Sequence, residues 1–130
     1  MHEFSTMQSI VNAILEEAKK YNAKEINKII LQIGELTFLG KEQLKFAFDI
    51  LKEGTIMEKA ELVIEDVKAK VKCNHCGYEG GVEYGLKDEF HIYFPILKCP
   101  NCGKNVEIIK GRECNIKSVE MEIEDVAIEG

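Results

Sequence analysis

No run in this chain approaches the ~18 consecutive apolar residues that span a bilayer, and its first residues form neither the basic region nor the apolar stretch of a signal peptide. Membrane insertion is disfavoured, and a cytoplasmic location is expected. Histidine is scarce: there are three, His2, His75 and His91. Placed as they are, they assemble no set of nucleophile, base and oxyanion donor, so the expectation is that the chain is not an enzyme. Low-complexity tracts are missing, and no internal repeat exists beyond two cysteine pairs. Positive charge is in deficit, with 17 Lys and Arg against 23 Asp and Glu and a net charge of −6.

What is present suits a globular α+β protein. With 130 residues, 45% hydrophobic and 31% charged, the chain fits one ordinary domain, or a small one carrying an inserted smaller one. Ser5 followed by Gln8 matches a capping box. Behind it Met7, Ile10, Val11, Ile14, Leu15, Ala18 and Tyr21 recur at helical spacing, which predicts a helix over residues 5–21. The stretch INKIILQIG, ending at Gly34, reads as a strand with a buried face. After Gly40, the stripe Leu44, Ala47, Phe48 and Leu51 predicts a second helix that ends near Gly54. ELVIEDVKAKV reads as one strand running into the first cysteine pair. Near the end Val119, Met121 and Ile123 alternate with Glu120, Glu122 and Glu124, the pattern of a strand with one wet face.

The strongest signal is CNHCG, residues 73–77, matched by CPNCG, residues 99–103. A Cys-x-x-Cys turn presents two thiolates from one knuckle, the following glycine relieves the tight backbone, and two knuckles complete the tetrahedron that zinc prefers. A redox dithiol of the thioredoxin kind would place its motif at the start of a helix, and neither motif here begins an apolar helical stripe. Cys73, Cys76, Cys99 and Cys102 are therefore the expected zinc ligands. Four protein thiolates leave no open position for water, so the zinc would be structural. A segment this small buries too little apolar surface to fold alone, whereas structural zinc contributes on the order of 10 kcal/mol. This reading divides the chain into one domain of residues 1–70 plus 111–130 and an inserted zinc domain of residues 71–110, a zinc-ribbon-like module with two knuckles.

Zinc ribbons often bind nucleic acid, which makes a nucleic-acid-binding module the alternative reading. Between Lys68 and Arg112 there are eight Lys and Arg and five Asp and Glu, a local net of +3 against −9 for the remainder. Four thiolates with one zinc ion add −2, leaving about +1, too little for dense phosphate contacts. Tyr78, Tyr84, Phe90, Tyr93 and Phe94 are read as filling the core of the zinc module.

MHEFSTMQSIV at the start, IGELTFLGKEQLKFAFDILKEGTIMEKAELVIED in the middle, the two knuckles, and GRECNIKSVEMEIE near the end together resemble the HypA family, nickel metallochaperones of nickel-iron hydrogenase maturation. The resemblance covers nearly the whole chain. It implies a nickel-binding α/β domain of a small sheet with two helices, an inserted structural zinc domain, and no catalytic turnover. It also implies delivery of nickel with a partner GTPase to the hydrogenase large subunit precursor; a monomer or weak homodimer without membrane or nucleic-acid partners is expected. Two departures stand out. The 22 residues between Cys76 and Cys99 exceed the family's shorter members, and Cys114 stands where an aliphatic residue usually follows GRE, which suggests a buried, inert thiol.

In that light MHEF becomes a candidate nickel site. The α-amine of Met1 and the amide and imidazole nitrogens of His2 can chelate one ion through fused rings, and planar nitrogen donors suit Ni(II). The alternative is a frayed terminus with a solvated histidine; the resemblance favours the ligand, because His2 falls on the family's nickel motif. Glu3 would contribute its backbone amide or support its neighbour, although a carboxylate beside a helix start is also favoured by the dipole. A fourth donor is still needed. His75 is tied into the first knuckle and has little reach, so His91, in the long stretch between the knuckles, is the candidate; its alternative is an exposed strand histidine.

Overall fold

The computed structural model describes residues 2–87 and 92–123. Helix α1 runs His2–Lys20, three residues longer at its start than the capping box implied. Ser5 lies one turn inside it and donates its hydroxyl to the His2 carbonyl at 3.3 Å, so the box is not formed. No glycine or proline interrupts the residues before Ser5, and Glu3 puts a carboxylate in the first turn, where it complements the helix dipole. Met7, Val11, Ile14 and Ala18 are buried. The helix stops before Tyr21, which is exposed, because Asn22 takes a left-handed φ of 53°, a backbone angle that asparagine tolerates at a helix end.

Strand β1, Ala23–Gly34, buries Ile29, Leu31 and Ile33 in strict alternation, with Ile26 buried nearer its start. A 3₁₀ turn, Glu35–Thr37, leads to helix α2, Lys41–Leu51, which buries Leu44, Ala47 and Phe48 as its stripe required. The two helices pack together. Strand β2 is Glu61–Val67 and β3 is Lys70–Lys72. The single strand read from Glu61 onward is thus two strands in different sheets. Ala69 interrupts it: its N–H is taken by the Glu35 carboxylate at 2.8 Å, and a Cβ on Gly111 would lie only 2.7 Å from its Cα. At that crossing a continuous ladder is impossible.

Strands β4 (Glu79–Gly80), β5 (Glu83–Lys87), β6 (Ile92–Ile96), β7 (Glu107–Lys110) and β8 (Cys114–Ile123) complete the chain. They form two three-stranded sheets, ordered β2-β1-β8 and β4-β3-β7, and a separate β5-β6 hairpin. Ile116, Val119 and Met121 of β8 face Ala13, Ile14 and Glu17 of α1 across a groove of about 290 Å³. Ile123, expected on that apolar side, is exposed; it is the last described residue of its strand. Cys114, expected buried, is exposed as well, since β8 turns its half-buried positions inward only from Ile116 onward.

Two compact units result, one from residues 1–32, 39–65 and 115–130, the other from residues 33–38 and 66–114. No helix among the described residues is long and apolar enough to cross a membrane.

Candidate metal centres

Strand β3 delivers the first knuckle and the Lys98–Asn105 bridge frames the second. Both close with the same two backbone bonds. In the first, the Cys73 N–H meets the Tyr78 carbonyl at 2.7 Å and the Gly77 N–H meets the Cys73 carbonyl at 2.9 Å. In the second, Cys99 meets Lys104 at 2.7 Å and Gly103 meets Cys99 at 2.8 Å. Gly77 and Gly103 adopt φ of 83° and 75°. A Cβ on either would touch nothing within 4 Å, so the backbone angle, not space, demands glycine there.

The turns bring four sulfurs together. Cys73 Sγ and Cys102 Sγ are 3.5 Å apart, as are Cys76 Sγ and Cys99 Sγ, and all four lie within 4.8 Å of one another. A tetrahedral ion with metal–sulfur bonds of about 2.3 Å needs sulfurs about 3.8 Å apart, so the donor set fits zinc. Cys73 and Cys99 are buried while Cys76 and Cys102 are exposed; each knuckle contributes one sulfur inside and one near solvent.

The electrostatics favour thiolate on the inner pair. The Cys76 backbone N–H lowers the Cys73 thiol to about 6, with the His75 N–H and the neighbouring thiols adding and burial opposing. Burial is also the largest influence on Cys99 and raises it, but the N–H groups of Cys102 and Asn101 outweigh it and the net shift is downward. Cys102 moves the other way: the Lys104 N–H lowers it, yet burial and the three other thiols prevail and push it up to about 11. Four like-charged thiolates cannot share this volume without a cation, and a divalent ion removes the conflict.

His2 is the first residue of α1 and is exposed. Met1 and His91 lie outside the described residues. The Glu3 carboxylate accepts the Gly40 N–H at 3.0 Å, and that bond, followed by its own backbone N–H, holds the Glu3 carboxyl below the usual range. Glu3 thereby ties the first turn of α1 to the residue that precedes α2. His75 is exposed, with its backbone N–H directed at Cys73.

Sequence reasoning missed three residues around these centres. Gly40 was read only as a break, and its partnership with Glu3 spans 37 positions. Glu35 accepts both the Ala69 N–H and the Tyr84 hydroxyl. Tyr84, expected in the core of the zinc module, is exposed and spends its hydroxyl on that carboxylate. No local pattern marks such long-range pairs.

A family model described as hydrogenase/urease nickel incorporation, metallochaperone, hypA, matches residues 1–121. The hydrogenase maturation factor HypA of Methanothermobacter thermautotrophicus is 41% identical over 126 residues, covering 96% of this chain and all of the relative. That of Methanococcus aeolicus is 44% identical over 130 residues, with 96% and 100% coverage. The solution structure of the Ni metallochaperone HypA from Helicobacter pylori superposes with a TM-score of 0.63 at 29% identity, covering 95% of this chain and 100% of that one. Sequence, fold and four-cysteine cluster agree, and the chain belongs to the HypA family of nickel metallochaperones for hydrogenase maturation.

Proposed function

We propose that this protein carries Ni(II) at its N-terminus and hands it, together with a nickel-handling GTPase, to the large subunit precursor of a nickel-iron hydrogenase in the cytoplasm. The observation that carries this reading is the position of His2, exposed at the first residue of an ordered helix. The first N–H groups of a helix have no intrahelical acceptor, so the amide of His2 meets a metal without breaking a helix bond. Its imidazole and the Met1 amine complete three nitrogen donors. Glu3 supports them by holding the helix start to Gly40, and His91 is the proposed fourth donor.

The four cysteines hold a resident zinc in this reading, within a domain of residues 71–110, while residues 1–70 and 111–130 handle nickel. Zinc supplies a closed, redox-inert crosslink between the knuckles. The chain itself is not an enzyme; it acts as a monomer or weak homodimer. Its partner contacts are short-lived and salt-sensitive, because an acidic surface changes association rate more than affinity.

Nickel titration of the zinc-loaded protein beside its His2→Gln variant tests the reading. Loss of the high-affinity nickel step in the variant, with zinc content unchanged, is the expected result. Parent-like nickel affinity in His2→Gln would remove the N-terminal site. His91→Ala separates the fourth donor: unchanged affinity and d–d absorption leave a backbone amide or water in its place.

A further inference from the structure

Helix α2 carries apolar residues on both of its faces. Leu44, Ala47 and Phe48 are buried, and each helical residue turns about 100° from the last, so Phe46 and Ile50 stand on the side opposite that stripe. Phe46 is 68% exposed and Ile50 47%. Apolar residues scattered singly over a surface need no explanation. Two that lie four positions apart form one continuous ridge, and Glu42 extends the same row. The fold does not call for that ridge: α2 is held through its other face, phenylalanine and isoleucine are weaker helix formers than leucine or glutamate, and such a pair stabilises a helix only slightly.

Negative charge frames the ridge. Glu42, Asp49 and Glu53 are exposed and fall on or beside the outward face, whereas Lys41, Lys45 and Lys52 fall toward one flank. Lys52 is turned inward, with its Nζ 5.6 Å from the centre of the Phe48 ring and 3.3 Å from the Asp49 carboxylate. An apolar ridge between Glu42 and Glu53 matches a partner that presents apolar and basic side chains together. A second copy of this chain fits poorly. Its net charge is −6, and one face of an 11-residue helix, about 16 Å long and 10 Å wide, offers far less than the ~800 Å² per partner of a stable dimer.

We propose that the outward face of α2 is a docking surface for a basic amphipathic helix of a partner protein. Apolar side chains of that helix pack along Phe46 and Ile50, a row of the kind that seats in the groove of a second helix, and its Lys or Arg residues meet Glu42 and Glu53. The surface is preformed. Leu44, Ala47 and Phe48 are at most 2% exposed and α2 packs on α1, so docking orders little of this chain. The small area makes the contact transient. Nothing in it depends on the nickel reading above.

Titration of the full, zinc-loaded chain with a synthetic helical peptide tests the surface, with Leu at positions i, i+3, i+4 and i+7 and Lys elsewhere, beside the same pattern built from Leu and Glu. Amide shifts from the Leu-Lys peptide centre on residues 42–53, and the Leu-Glu peptide binds at least about tenfold more weakly. Phe46→Ser with Ile50→Ser lowers the Leu-Lys affinity at least about tenfold, with zinc content and the amide dispersion of α1 at parent values. Glu42→Gln with Glu53→Gln lowers it about threefold and flattens its salt dependence. Shifts centred outside α2, or parent affinity in either double variant, overturn the proposal. Sedimentation that rises with concentration in the parent and not in the Phe46 and Ile50 variant also overturns it, by assigning the face to a second copy. So does co-sedimentation with phosphatidylcholine vesicles, which assigns the face to a membrane.

Discussion

The two units are held together by different chemistry. In the first, α1 supplies Met7, Val11, Ile14 and Ala18, β1 supplies Ile26, Ile29 and Leu31, α2 supplies Leu44, Ala47 and Phe48, and Met57 and Ala60 close the core. In the second, the buried apolar side chains among the described residues are Ile33, Ala69 and Val71, joined by Cys73 and Cys99. Apolar burial of about 25 cal/mol per Å² scales with area, and the second unit has little area to use. The lesson is a contrast of means: one unit has an apolar core that excludes water, while the other has few buried apolar side chains and a cluster of four sulfurs able to hold a cation.

Removing the cation tests that contrast most severely. Chelation, or Cys99→Ser, is expected to collapse the chemical-shift dispersion of residues 66–114 while the amides of α1 and α2 keep theirs. Dispersion retained throughout would show that the second unit needs no metal. The reverse experiment cuts the apolar core. Leu31→Ala is expected to cost about 3 kcal/mol through the lost transfer energy and the cavity left behind, read as a lower urea midpoint in far-ultraviolet circular dichroism, with metal content unaltered.

Among the described residues each unit also has one carboxylate held below its usual range, which sharpens the comparison at smaller scale. Glu3 is lowered by the Gly40 N–H in the first unit; Glu35 is lowered by the Tyr84 hydroxyl, then the Ala69 N–H and the charge of Lys68, with burial opposing, in the second. A depressed carboxyl stabilises the fold above its ordinary value of 4.5, and this contribution fades as pH falls through the lowered folded value. Glu3→Gln and Glu35→Gln should each flatten the acid limb of the urea midpoint between about pH 5 and pH 3. Tyr84 carries the opposite sign. Burial first, then Glu35, raise its hydroxyl to about 12, so its contribution is intact below the ordinary 10 and is lost as pH rises from there through about 12. Ultraviolet tyrosinate titration should find one late phenol that moves earlier in Glu35→Gln.

The smallest effect belongs to the surface. Lys117 reaches Glu65 at 3.0 Å with both side chains well exposed. Lys117→Ala is expected to shift stability by less than about 0.5 kcal/mol, within the scatter of the urea midpoint. A larger loss would mean that the first unit leans on charge as well as burial.

The contrast between the units also separates what was legible from what was not. The stripe Met7, Val11, Ile14 and Ala18 and the alternation of Ile29, Leu31 and Ile33 sit in the sequence at the periods of helix and strand, because burial on one face selects apolar residues at those intervals. The four cysteines were legible for a similar reason: a knuckle needs its two sulfurs three residues apart with a glycine behind. The start of α1 was misread at Ser5, since a capping box is permitted by local residues but chosen by what the preceding residues touch, here Glu3 on Gly40. Tyr84 departs from its expected burial because an apolar body implies burial without saying where its hydroxyl will find a partner, here Glu35, and Cys114 because β8 turns inward only from Ile116 onward.

By itself, then, the amino-acid order determined an α+β protein with two helices and two thiolate knuckles, since these rest on periodicities and spacings within reach of a few residues, while ordered motifs along nearly the whole chain carried the HypA resemblance. Only the tertiary structure decided that ELVIEDVKAKV breaks at Ala69, that Glu35 serves the unit around the cysteines although it follows β1, and that Gly34 and Gly111 must both lack a side chain. A Cβ on Gly34 would fall 2.1 Å from the Gly111 carbonyl oxygen. Those choices arise where three separate stretches of backbone cross within van der Waals distance. Backbone N–H and carbonyl groups there must pair across dozens of positions, and no window of sequence contains both partners.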